Sequence, residues 1–160
     1  MTIYKAQNIK AFMNALLKSD VFDKFELREI NINTFASFSI NGKKYDDEET
    51  KYCLWEEIKP YAFDAIKGNR LPRLIKIIFS LDPENVPGVN GASALFLNIT
   101  YENDSISCIT GISMKNFSLD RSAEYTFDAY IAEFFSNNNI SVSTQAYWVL
   151  NFYWLFIYGW

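Results

Sequence analysis

Residues 94–112 read ALFLNITY-END-SISCITGI, and this stretch decides the fold. Two strand-length segments rich in β-branched and aromatic residues, 94–101 and 105–112, flank the polar break Glu102-Asn103-Asp104. That pattern predicts a β-hairpin. Just upstream, residues 74–81 read LIKIIFSL, an apolar run broken only by Lys76 and Ser80, the signature of a mostly buried strand. Further back, Phe25, Leu27, Ile30 and Ile32, then Phe35, Phe38 and Ile40, are interleaved with polar residues and predict two more strands. The second runs into Asn41-Gly42, a dipeptide that favours the type I′ turn, so a third strand over 43–45 is expected after it. Residues 114–119 are expected to add a short strand.

Three stretches carry the helical period instead. Ile9, Phe12, Met13, Leu16 and Leu17 predict an amphipathic helix over 6–18. Trp55, Ile58, Ala62, Phe63 and Ile66 form a second stripe, with Gly68 as its C-terminal cap and Pro60 marking a kink or a late start. A third helix opens after Leu119, capped by Ser122 or Asp120, has Tyr125, Ala129, Ile131, Ala132 and Phe135 among its apolar positions, and stops at Asn137-Asn138-Asn139. Residues 82–93 hold two Pro, two Gly, two Asn and a Ser, and form the longest loop. Hairpins joined by irregular connections exclude repeated βαβ units. The prediction is one α+β domain over residues 1–143, a mostly antiparallel sheet with about three helices packed on it, followed by a tail at 144–160.

A chain of 160 residues suits one domain with one substantial core. An apolar fraction of 49% and a charged fraction of 21% describe a globular protein. No nucleic-acid partner is expected, because the net charge is −4 and phosphate neutralisation needs clustered Lys and Arg. The chain has no His, which excludes Ser-His-Asp and Cys-His machinery and removes the commonest metal ligand. A zinc site would have to draw on Cys53, Cys108 and carboxylates, without a CxxC pair. Neither phosphate-loop glycine motif occurs, and Gly88-Val89-Asn90-Gly91 follows no strand and precedes no helix. No catalytic, cofactor-binding or metal-binding residue is therefore assigned. The acidic run at 46–49 reads as a surface loop or first helical turn, since a cation site would want EF-hand spacing. Two cysteines, and no secretory features over residues 1–18, suggest reduced, buried thiols and a cytoplasmic location.

Two groups of residues remain as candidates for contact. Arg70, Arg73 and Lys76, in the densest basic segment with Lys67, are candidate anion contacts; a solvated loop leading into a strand is the plainer reading. Arg28 beside Glu29, within an alternating strand, reads as a paired, partly buried charge. The other group is the tail. Of the fourteen residues 147–160, eight are aromatic and none is charged. Burying eight such side chains is worth roughly 12–24 kcal/mol, against an ordering cost of about 20 kcal/mol for the segment. Tyr147, Trp148, Phe152, Trp154, Phe156 and Trp160 are the candidate interaction residues. They would pack on the chain's own sheet, meet a second copy, or meet a protein partner.

Lying in a membrane interface is the alternative, because as a helix the tail would reach only about 21 Å against a hydrocarbon core of about 30 Å. Extended structure is expected to begin near Ile140 and continue through the aromatic part, with helix as the alternative, Asn151 marking a turn or an edge and Gly159 a terminal break. The functional expectation is a non-catalytic interaction or self-associating module. An enzyme using carboxylate and Arg chemistry, near Arg28, Glu29, Arg70, Arg73 and the loop at 82–93, is a further alternative.

Several segments together resemble an uncharacterised family of small cytoplasmic proteins from Gram-positive anaerobic bacteria. They are Lys10-Ala11-Phe12-Met13-Asn14, Leu16-Leu17, Asp20, Phe22-Asp23, Phe25, Arg28-Glu29, Thr34-Phe35, Ile66-Lys67-Gly68, Arg70, Pro72, Lys76, Phe79, residues 94–98 and Thr110-Gly111. The resemblance covers roughly residues 5–142 and implies a single domain, with no activity, substrate or cofactor attached. The tail departs from it, as a lineage-specific or accidental extension would.

Overall fold

The computed structural model describes residues 1–45, 51–68 and 70–145. Among them, seven strands form one antiparallel sheet and three helices pack on it. The strands are β1 (Ile3–Ala6), β2 (Glu26–Asn33), β3 (Ser37–Asn41), β4 (Leu74–Leu81), β5 (Ala92–Glu102), β6 (Ser105–Met114) and β7 (Val142–Gln145), in spatial order β3-β2-β4-β5-β6-β1-β7. The helices are α1 (Ile9–Leu17), α2 (Trp55–Ile66) and α3 (Ser122–Asn137). This is the α+β architecture expected from the sequence.

The alternation along each strand shows where the helices lie. Ile75, Ile77 and Phe79 of β4 and Leu95, Leu97 and Ile99 of β5 are buried, as are Ile106 and Cys108 of β6. They meet Phe12 and Leu16 of α1, Trp55 and Ala62 of α2, and Phe127, Ile131 and Phe135 of α3 in one core. Phe22 and Phe25, from the α1–β2 connection, stack among them, with ring centroids 5.9 and 5.5 Å from Phe79. Trp55 adds an edge contact to Phe79 at 5.3 Å and donates its indole N–H to the Leu16 carbonyl at 2.8 Å. The residues between those buried positions point to the other face, and no described helix covers it.

Local chemistry explains the ends. Asn8 caps α1, accepting from the Ala11 N–H at 3.0 Å. The N-cap of α3 is Arg121, not Ser122 or Asp120; Asp120, one residue earlier, accepts from the Ser122 N–H and hydroxyl at 2.9 and 3.0 Å, which draws its own pKa down. Asn139, at φ 56°, closes α3, with the Ile140 N–H returning to the Phe135 carbonyl at 2.9 Å. The predicted hairpin is formed by β5 and β6, and Asn103 and Asp104 both have positive φ, as a type I′ turn requires.

Several expectations are corrected. Residues 3–6 form β1 rather than leading into the first helix, which starts at Ile9. The β2–β3 hairpin turns at 34–36, where the Thr34 N–H meets the Ala36 carbonyl at 2.9 Å, and Asn41-Gly42 is not a type I′ turn. Residues 43–45 contribute one isolated bridge, Lys43 to Tyr52, and no strand. β6 ends at Met114, so 115–119 add no strand. α2 begins at Trp55 despite Pro60, which sits inside the helix on an exposed position, and it ends in extended backbone at Lys67 rather than on a left-handed Gly68. The acidic run at 46–49 and the tail from residue 146 lie outside the described residues, so the expectations about their conformation and contacts do too.

Gly42 has a different task. A Cβ there would stand 1.8 Å from the Leu27 carbonyl oxygen. The backbone must come this close because Gly42 donates to the Arg28 carbonyl at 3.0 Å while its own carbonyl accepts from Cys53 at 2.7 Å. Cys53 in turn accepts from the Leu27 N–H at 2.8 Å. Gly42→Ala should therefore cost about 2–3 kcal/mol, as overpacking against rigid backbone does. Gly68→Ala, with nothing within 4 Å of its new methyl, should change stability by no more than about 0.5 kcal/mol. Urea unfolding of the two variants checks the contrast.

Candidate functional site

The helix-free face is ordered by strand register. Directly paired residues point the same way, so reading across the partners gives rows. One row runs Ser39, Asn31, Lys76, Thr100, Ser107, Lys5, Ser143. It is polar from edge to edge, with Ser39 donating to Asn31 Oδ1 and Lys5 Nζ donating to Ser107 Oγ, both at 2.6 Å. The next row runs Asn41, Glu29, Ile78, Asn98, Ile109, Ile3, Gln145. Its three isoleucines are half-buried. The row beyond holds Glu26, Ser80, Phe96 and Gly111. Gly111 has no side chain, so the half-buried Phe96 has no cross-strand side-chain neighbour on β6.

At the β2 end of this strip sits Arg28. The register of β2 against β4 shifts between Leu27 and Glu29, which makes Arg28 the extra residue of a bulge and re-aims its side chain. Its guanidinium lies 3.8 Å from the centre of the Tyr52 ring and 5.4 Å from that of Phe96. Nε donates to the hydroxyl of the buried Ser80 at 2.9 Å, and Ser80 donates to Glu26 at 3.1 Å. The expected pairing of Arg28 with Glu29 is not the one found: Glu29 accepts from Asn31 at 3.1 Å.

The basic candidates separate. Arg70 lines a hollow of about 390 Å³ at the end of α2, beside Lys67, Ile66 and the turn residues Thr34 and Phe35. Lys67 is paired there with Asp64 at 2.8 Å. Arg73 is exposed just before β4, its backbone N–H on the Asn33 carbonyl at 2.8 Å. Lys76 is exposed in the polar row. The interaction candidates Tyr147, Trp148, Phe152, Trp154, Phe156 and Trp160 lie outside the described residues.

The most strongly shifted ionisable groups lie elsewhere and hold the N-terminal strand to α3. Asp128 accepts from Thr2 and Thr110 hydroxyls at 2.8 and 2.5 Å, and Tyr4 donates its hydroxyl to the Asp128 carbonyl at 2.9 Å. Burial, then the Asp128 charge, pushes Tyr4 up to about 12. Burial alone pushes the Cys108 thiol to about 12, so it behaves as a small apolar side chain. Glu124 is lowered to about 2, first by its hydrogen bond from Arg121 and then by the N-terminal ammonium.

With this geometry in place, the family can be stated. The pattern described as Family of unknown function (DUF5721) matches residues 15–143. The chain belongs to this family. The match starts later than the resemblance traced from residue 5, and it leaves 144–160 outside. No curated protein and no solved structure matches the chain. Among the described residues, no helix is long and apolar enough to cross a membrane.

Two outcomes follow. Arg28→Ala removes a stacked guanidinium and one of the two hydrogen bonds of buried Ser80, and should cost about 1–3 kcal/mol in denaturant unfolding. Glu124 has a folded pKa below its ordinary 4.5, so its stabilisation is complete above 4.5 and drains away as pH falls toward 2. In calorimetry, the Tm gap between the parent and Glu124→Gln should shrink across that window.

Proposed function

We propose that this protein is a non-catalytic interaction module whose contact surface is the helix-free face of its sheet. The observation that carries this reading is the in-register strip of Ile3, Ile109 and Ile78 beside Phe96, on a face whose next row is wholly Ser, Thr, Asn and Lys. Single exposed apolar residues are ordinary; a contiguous strip rimmed by polar groups is what protein contact surfaces carry. The row of hydroxyls, amides and ammonium groups on one side offers hydrogen bonds to a partner that brings its own polar tips. Tyr and Trp combine an apolar body with such a tip, so an aromatic-rich segment fits the face best.

A labelled peptide of residues 147–160, lengthened with lysines for solubility, tests the face directly. Fluorescence anisotropy, with parent and variant both ended at Gln145 so that their own segment cannot compete, should show saturable binding to the parent. Binding to Ile78→Lys/Ile109→Lys should be at least about tenfold weaker, a loss of about 1.4 kcal/mol. Circular dichroism checks that this variant is folded. Equal binding by both proteins, or binding by neither, defeats the reading.

A further inference from the structure

We infer that in the intact chain the helix-free face is occupied by the chain's own residues 146–160. The inference rests on the face being a contact surface, and adds which segment meets it. β7 delivers the chain to the right place. Its last described residue, Gln145, pairs with Ile3 and so lies in the same row as Ile109 and Ile78. β7 runs antiparallel to β1, from Val142 beside Ala6 to Gln145 beside Ile3. Continuing that direction carries the chain toward the neighbouring row of Gly111 and Phe96.

Reach is sufficient. From β7, where the segment starts, to β4, where the strip ends at Ile78, the path crosses four strand spacings, about 19 Å at about 4.8 Å each. Fifteen residues follow Gln145. They would cover about 22 Å as a helix and about 50 Å extended, so either conformation spans the strip. A second copy is not needed to supply the segment.

The chemistry matches along the way. The segment carries no charged side chain, so neither Lys5 and Lys76 on one side nor Glu29 at the far end meets a like-charged side chain. Its apolar bodies meet the isoleucine strip, and the Tyr147, Tyr153 and Tyr158 hydroxyls and the Trp148, Trp154 and Trp160 indole N–H groups have Ser, Thr and Asn rows within reach. Phe96 faces Gly111 on its β6 side, where no side chain stands between it and the segment's path.

Site-specific photocrosslinking of the full chain decides it. A benzophenone amino acid replaces Asn98, which lies between Ile78 and Ile109, and in a control replaces Glu102, exposed at the opposite end of the face. Unlabelled and ¹⁵N-labelled chains are mixed before irradiation, and crosslinked peptides are mapped by mass. Expected are crosslinks from position 98 to residues 146–160 within one isotope class, absent from position 102 and unchanged by added phosphatidylcholine vesicles. If the Asn98 variant does not fold, Ser113 takes the probe. Mixed-isotope crosslinks would overturn occupancy by the same chain in favour of a second copy. Loss of the crosslink with flotation on the vesicles would overturn it in favour of lipid. No crosslink to 146–160 from either position would overturn it outright; peptide binding in the anisotropy experiment would then still leave the face a contact surface for another occupant.

Discussion

Phe79 is where the layers of this protein meet. It sits in the middle of the sheet on β4, fully buried, and touches rings from two other parts of the chain: Phe22 and Phe25 from the α1–β2 connection and Trp55 from α2. Aromatic contacts of this kind add to burial because ring edges and faces attract. Phe134 of α3 joins the same group through Phe22 and Phe25, at 5.4 and 5.1 Å. All three helices are thereby committed to one side of the sheet, since Trp55 also ties α1 through the Leu16 carbonyl. The second side is left to whatever the strands themselves present.

What was legible in the sequence is what short-range chemistry dictates. The hairpin at 94–112 and the buried strand at 74–81 needed only a period of two and a polar break. The third helix needed Asp120 before it and three asparagines after it. β1 escaped because IYKA is four residues without a period of its own, and its strand character comes from β6 and β7, more than a hundred residues away. Asn41-Gly42 misled for the opposite reason. The pair has turn chemistry, but here the glycine serves a close backbone approach to Leu27, while the left-handed pair at the β5–β6 turn falls on Asn103 and Asp104.

The helix-free face was less legible than the fold. Arg70, Arg73 and Lys76 are neighbours in sequence, yet the hollow at the end of α2, the approach to β4 and the polar row take one each. Ile3, Ile78 and Ile109 are distant in sequence and adjacent in space, and only the register of β1, β6, β5 and β4 brings them together. Arg28 stood out as a charge in an alternating strand, but the bulge that turns it between Tyr52 and Phe96 is a product of pairing. Membership in a family without assigned activity cannot supply what these placements do not, because function belongs to sites rather than folds.

An antiparallel sheet with helices on one side commonly leaves its other side to water, and that possibility has to be weighed row by row. The row from Ser39 to Ser143 meets it fully: every member is a hydroxyl, an amide or an ammonium. The row from Asn41 to Gln145 does not. Its outward isoleucines on β4, β6 and β1 leave Asn98 as the one polar residue between them, and the next row adds a phenylalanine beside a glycine. Three half-buried Ile and a half-buried Phe outward in adjacent rows leave part of the roughly 1.5–3 kcal/mol of full burial per side chain unrealised unless something covers them. The polar rows show that these strands accept water-compatible residues at neighbouring outward positions, so strand propensity alone does not explain the strip. A surface that is half hydroxyl ladder and half apolar strip has the division that a Tyr- and Trp-rich segment shows in its own side chains.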